Sequence, residues 1–143
     1  MAVVDSHVHL WEFARRPQPW IDPRTMPMLC RDFTSEDLAT VIASAGVVST
    51  VLVQVLNQTD ETIEYLDIAA RSPFIGAVVG WVDVTAVDLA DRLDELCAAP
   101  GGHLLTGIRH QAQAEPDPGA WLVRPEVSRG LAMLGERGLV CDL

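Results

Sequence analysis

Val4-Asp5-Ser6-His7-Val8-His9-Leu10-Trp11 overlaps a run from Ala2 to Leu10 that reads as a β-strand with two unlike faces. Side chains alternate along a strand, so Val3, Asp5, His7 and His9 share one face and Val4, Ser6, Val8 and Leu10 share the other. The second face is almost wholly apolar and suits packing against helices. The first grows polar toward the C-terminal end. Imidazoles at i and i+2 stand roughly 7 Å apart along the strand, and their rings can converge on one cation, with zinc–nitrogen distances of about 2.0–2.1 Å. Two hydrogen-bonded histidines in a polar core would show the same spacing, so the pair must be weighed with the remainder of the chain.

Beyond this strand the pattern alternates regularly. Ser49 to Val55, Phe74 to Val84, Leu105 to Gln111 and Leu139 to Leu143 read as further strands, rich enough in Val, Ile and Leu to be covered on both faces. Between them the sequence predicts four helices. Thr34 or Ser35 caps the first, which runs through Leu38, Val41 and Ile42 to Gly46. Thr59 or Asp60 caps the second, with Ile63, Leu66 and Ala70 as its apolar stripe. The third turns Val87, Ala90, Leu93 and Leu96 inward and ends at Pro100-Gly101-Gly102. The fourth starts at Pro125, aligns Val127, Leu131 and Leu134, and closes at Gly138.

A β-α-β-α-β-α-β-α-β order predicts an α/β fold with a parallel sheet and right-handed crossovers. Two architectures compete, an open doubly wound sheet and a closed eight-stranded barrel. A whole barrel needs roughly 250 residues, and with 143 this chain supplies about half of one. Length alone favours the open sheet. The polar C-terminal end of the first strand favours the barrel, because that end is a barrel's active-site rim.

Twenty acidic against ten basic side chains give a net charge of -10, which repels polyphosphate and anionic lipid. Nucleic-acid binding and polybasic membrane attachment are therefore excluded as expectations. Cys30, Cys97 and Cys141 are odd in number and widely spaced, so they read as reduced thiols. No apolar stretch is long enough to cross a bilayer, and Asp5, His7 and His9 interrupt any signal-like run. A cytoplasmic location is the expectation.

The segment Val4 to Trp11 resembles the opening motif of the amidohydrolase superfamily, and in particular the amidohydrolase-2 group of sugar-lactone and pyrone-dicarboxylate lactonases. Val53-Gln54-Val55, Val79-Gly80-Trp81-Val82-Asp83, Gly107-Ile108-Arg109-His110-Gln111 and Leu122-Val123-Arg124-Pro125 come in that group's order and spacing, so the resemblance spans the chain. It implies the N-terminal half of a (β/α)8 barrel over residues 1–143, about five parallel strands and four helices in one partial domain. It also implies hydrolysis of a small lactone or related carboxylate substrate. His7 and His9 are then catalytic residues and ligands of a divalent metal, zinc foremost, although relatives differ in whether they need one. The group's later His and Asp positions have no counterpart here, and His103 and His110 precede the fifth strand. A catalytic zinc site normally takes three protein ligands, and two are recognisable.

Four more residues are expected to bind substrate. With Ile108 turned toward the helices, Arg109 points inward and can grip a carboxylate or a lactone carbonyl; an ion pair with an acid such as Asp5 is the structural alternative. Gln54, sharing a face with Thr50 and Leu52, projects inward before a polar loop at Asn57, Gln58 and Thr59. Trp81 either floors a sugar-sized pocket or simply packs, and His110 either touches substrate at the rim or has a surface role. Trp11 and Trp20 flank an Arg- and Pro-rich loop placed so that it can close part of the mouth. Ser6 faces away from the histidines, no Gly-x-Ser-x-Gly elbow exists, and no phosphate loop or dinucleotide fingerprint comes after a strand. A decarboxylase on the same barrel and a non-catalytic half-barrel assembly unit are the competing functions. A half-barrel exposes strand edges and the inward faces of Val3, Leu52 and Leu105, so a homo-oligomer or a complementary C-terminal half is expected to cover it.

Overall fold

The computed structural model describes residues 2–143. Strands β1 (Val3–Val8), β2 (Val47–Val53), β3 (Ile75–Gly80), β4 (Leu105–Arg109) and β5 (Val140–Asp142) lie side by side in chain order, and every pairing is parallel. A doubly wound sheet reverses its strand order at a switch point. This one never does, so the open-sheet alternative falls and the chain forms half of a TIM-type barrel.

Helices α1 (Ser35–Ala45), α2 (Thr59–Arg71), α3 (Leu89–Ala98), α4 (Pro118–Leu122) and α5 (Pro125–Glu136) fill the connections. The start of α1 obeys its sequence signal closely. Thr34 accepts from the Asp37 amide while the Asp37 carboxylate accepts from the Thr34 amide, a reciprocal capping box. The same helix stops at Gly46, whose φ of 69° is left-handed and strained for residues with a Cβ. For α2 the expectation fails by one residue, since Gln58 occupies the cap position and its side chain makes no capping bond. The short helix α4 adds a fifth to the four expected; its five residues are too few to show a period, and it is held by the Asp117 carboxylate accepting from the Ala120 amide.

The core lies between sheet and helices. Leu52, Val78 and Ile108 from β2–β4 meet Leu66, Leu93, Leu96, Val127 and Leu134 from the helices, all at 1% exposure or less. Burying each such side chain contributes about 1.5–3 kcal/mol. Register fixes which face is which. Leu52 pairs with both Val8 and Val78, so these three face the helices, and the neighbouring positions His7, Val53 and Val79 face the concave side.

Several inward and outward assignments are therefore corrected. Leu52 and Leu105 are buried rather than left open, because both belong to the helix-side core; only Val3 of the three is exposed, at 45%. On β1 the apolar face is only partly covered: Val4 is 56% exposed, and burial is reached only at Leu10. Val41, Ile63 and Val87 point to solvent, while the buried stripe of α2 is Glu61, Thr62, Tyr65, Leu66 and Ala69. A stripe placed one residue off rotates by about 100° in a 3.6-residue period, which is how polar Glu61 and Thr62 come to face inward. Among the described residues, no helix is long and apolar enough to cross a membrane.

Candidate functional site

His7 sits near the end of β1 and His9 just beyond it, on the concave side of the sheet. Their rings meet edge to face at 4.7 Å between centroids, and their Nε2 atoms are 3.1 Å apart. His9 Nδ1 lies 2.8 Å from the Val53 carbonyl oxygen at the end of β2. A carbonyl only accepts, so Nδ1 carries the hydrogen and the neutral ring presents a bare Nε2 lone pair. Burial holds the His9 pKa below the ordinary histidine range; the Val53 bond opposes this, and His7 and Arg109 reinforce it. The ring is thus neutral at neutral pH, the form that ligates metals.

Nitrogen ligands on a tetrahedral zinc at about 2.0–2.1 Å stand roughly 3.3 Å from one another. The 3.1 Å separation of the two Nε2 atoms fits that bite with little movement. A third ligand is not at hand. Among the described residues no group of three or more His, Cys, Asp or Glu side chains could hold a metal ion. The Asp5 carboxylate accepts from the His7 amide and so braces the strand end at 3.1 Å.

Beside the histidines is a cleft of about 450 Å³, lined by His9, Asn57, Arg109, Gln111, Pro19, Trp20 and the Val55–Leu56 backbone segment. Its size falls in the range of small-molecule sites. Arg109 reaches it from the end of β4. Its neighbour is Asp142 of β5, with Nε 3.6 Å from Oδ2, rather than the Asp5 considered from sequence. Arg109↔Asp142 are register partners across the β4–β5 ladder, whereas β1 lies at the opposite edge of the sheet. That separation is too long for a hydrogen bond, and Arg109 Nε is left buried without an acceptor. Trp20 and Pro19 place the long β1–α1 loop on the cleft wall, with Trp11 packed edge-on against Trp20 at 5.8 Å.

The other three sequence candidates, Gln54, Trp81 and His110, do not line this cleft. Gln54 is fully buried; its amide nitrogen donates to Asn57 Oδ1 at 3.1 Å and to the Arg109 carbonyl at 3.3 Å, and its Oε1 has no partner. Trp81 and His110 are bound to each other, the indole N–H donating to His110 Nδ1 at 3.3 Å. An indole cannot accept, so His110 carries its hydrogen on Nε2 and donates to Glu115 Oε1 at 2.9 Å. The imidazole stacks on Trp121 with a centroid distance of 4.1 Å and planes 6° apart. Structure therefore joins His9 to Arg109 in one cleft, sets His7 beside them, and gathers Trp81 and His110 into a neighbouring network.

Sequence reading overlooks Gln111 as a site residue, although its shared face with Arg109 is legible. It misses Glu61 entirely. The Glu61 carboxylate is buried, and one oxygen accepts from the Val55 and Leu56 amides at 2.8 Å each. Burial raises its pKa above the usual carboxylate range, and these two bonds oppose the rise. Glutamate in the first turn of a helix ordinarily signals a favourable dipole position and nothing more.

Comparison with known proteins identifies the family. The chain is 37% identical over 139 residues to the L-fucono-1,5-lactonase of Burkholderia ambifaria, covering 97% of this chain and 46% of the relative. It is 34% identical over 140 residues to the L-fucono-1,5-lactonase of Burkholderia multivorans, covering 98% of this chain and 46% of that protein. Among solved structures, an amidohydrolase from Burkholderia multivorans with bound Zn superposes with a TM-score of 0.91 at 33% identity, over 100% of this chain and 49% of its own. Amidohydrolase 2 from Bifidobacterium longum subsp. infantis gives 0.67 at 25% identity, over 100% and 51%. The chain thus spans about half the length of the relatives it matches. The amidohydrolase family model matches residues 4–143, and with the parallel half-barrel and the paired histidines at its rim this chain belongs to the amidohydrolase family.

Proposed function

We propose that the chain forms half of the active site of a hydrolase acting on a sugar-type 1,5-lactone, with His7 and His9 as two ligands of a divalent metal, zinc foremost. The observation that carries this reading is the pair of Nε2 atoms 3.1 Å apart, one on a ring whose other nitrogen is already bound to Val53, beside an arginine whose Nε is buried without an acceptor. Bound metal would supply Lewis-acid polarisation of the carbonyl and a lowered pKa for water. The residues of this chain bind and orient. His7 and His9 converge; the Val53 carbonyl holds His9 in the ligating tautomer. Arg109 directs a donor toward the lactone carbonyl or the carboxylate of the product. Asn57 and Gln111 offer amides to substrate hydroxyls, and Trp20 gives the cleft an apolar wall. In the reaction water adds to the carbonyl carbon, the ring C–O bond breaks, and the ring oxygen leaves as a hydroxyl, giving a hydroxy acid.

The remaining ligands and the general base come from a complementary half or from a second copy. Uncovered apolar side chains on both edge strands, Val4 on β1 and Val140 on β5, at 56% and 65% exposure, support such a covering. Zinc binding by calorimetry and hydrolysis of L-fucono-1,5-lactone by the completed assembly test the proposal. H9A should weaken zinc binding by at least about 100-fold, since loss even of outer partners of a metal ligand costs about 10–100-fold. Undiminished zinc affinity in both H7A and H9A would remove the metal assignment. Zinc binding without turnover of any 1,5-lactone by the completed assembly would remove the substrate.

A further inference from the structure

Three rim segments, two carrying cleft residues and the third Trp81, lie past the last registered pair of their ladders. The pairings end at Val8–Leu52 for β1–β2, Val53–Val79 for β2–β3 and Gly80–Ile108 for β3–β4. His9, the Val55–Asn57 loop and Trp81 all come after those points, where ladder bonds no longer fix the backbone. One helix reaches all three. From α2, the Tyr65 hydroxyl donates to the carbonyl of Leu10, the residue after His9. Glu61 accepts the Val55 and Leu56 amides, just beyond Val53. Thr62 Oγ1 accepts from the Trp81 amide at 2.7 Å and donates to the Trp81 carbonyl at 2.9 Å.

These three polar side chains are 1%, 0% and 3% exposed for Glu61, Thr62 and Tyr65, on a helix face that otherwise carries core residues. Burying polar groups in such a face is costly unless each finds a partner, and every partner named above is backbone of a strand end. Sheet and helix are also shaped for the approach. A Cβ on Gly80 would stand 2.3 Å from Thr62 Cγ2 and 2.9 Å from Oγ1, so only glycine there lets α2 come within bonding reach of Trp81.

We infer that Glu61, Thr62 and Tyr65 are positioning residues, which set the Asn57 loop, Trp81 and His9 respectively from one rigid helix face. The inference rests on the proposed role of the His9 cleft for what is being positioned. It differs from simple core satisfaction in being local: each side chain governs one rim segment. Loss of the Tyr65 bond frees the Leu10 carbonyl and with it the placement of His9 against Val53. Loss of the Thr62 bonds frees Trp81 and its contact with His110.

The test uses the whole chain labelled with ¹⁵N and ¹³C, with Y65F, T62V and T62S compared at about pH 8, where free histidine is neutral. Ring nitrogen shifts report the His9 tautomer, the indole N–H resonance reports Trp81, and thermal unfolding reports stability. Y65F is expected to move His9 away from the Nδ1–H form and leave Trp81 in place. T62V is expected to shift the Trp81 indole and leave His9, with T62S, which keeps the hydroxyl, restoring the wild-type signal. Lowered melting temperatures with unchanged His9 and Trp81 signals in the folded state would overturn the inference, as would both variants disturbing both rings alike. None of these readouts involves zinc or turnover, so a failure of the metal assignment and a failure of this one are seen separately.

Discussion

His9 and Arg109 face the same cleft, yet they are held in opposite ways. His9 has its Nδ1 bound to Val53, its backbone neighbour Leu10 bound by Tyr65, and its pKa held down by burial. Arg109 has a half-buried guanidinium with Nε lacking an acceptor and its nearest acid 3.6 Å away on a three-residue strand. The metal-ligand role proposed for His9 requires a fixed bond length and direction, so fixing its tautomer beforehand is favourable. In the substrate-binding role proposed for Arg109, the guanidinium gains most when no short bond to a protein acceptor competes with the ligand. One side of the cleft is thus fastened by short hydrogen bonds, and the other is not.

The strongest challenge to that contrast is to unfasten the fixed side. Glu61→Ala leaves two buried amides without an acceptor, each costing about 1–3 kcal/mol, so unfolding should be easier by roughly 3 kcal/mol in denaturant titration. Glu61→Gln retains an acceptor oxygen, removes a carboxylate whose pKa burial has raised, and should recover most of that loss. A melting temperature unmoved by Glu61→Ala would mean that the Val55–Leu56 segment is not fastened at all. Acting on the unfastened side should give a different pattern. Arg109→Ala should raise the Michaelis constant or lower turnover of the completed assembly by about tenfold, or roughly 1.4 kcal/mol. Its thermal stability should change little, because the guanidinium has no short bond to lose; a large stability loss with unchanged kinetics would make the Asp142 contact structural after all.

The pH effect at His9 is smaller still. Its folded pKa is depressed, so the neutral ring is the form the fold favours. The stability this confers is fully present above the ordinary histidine pKa of about 6.5 and is lost as pH falls through the lower folded value. Histidine resonances tracked by NMR should show His9 titrating below free histidine. A His9 midpoint at or above the free value would contradict the desolvated, Val53-bound ring.

The parallel α/β order, the cap at Thr34, the stop at Gly46 and the pairing of His7 with His9 are legible in the sequence because each depends on residues close together in the chain. Strand alternation puts two imidazoles on one face whatever surrounds them, and a capping box closes within four residues. The polar end of the first strand and the family resemblance turn the choice to the barrel, where length alone points to the open sheet because 143 residues are few for a barrel.

Other features were beyond local pattern for one physical reason: their partners are distant in the chain. That Arg109 meets Asp142 rather than Asp5 depends on strand order across the sheet. That Leu52 belongs to the core and not the lumen depends on register with Val8 and Val78, where a shift of one residue exchanges the faces. That His110 is bound between Trp81, Glu115 and Trp121 depends on a five-residue helix too short to announce itself. Glu61, Thr62 and Tyr65 look in the sequence like the polar first turns of an ordinary amphipathic helix. Only docking of α2 against three strand ends, closer than any residue but Gly80 would permit beside Thr62, turns those polar groups inward and gives them backbone to hold.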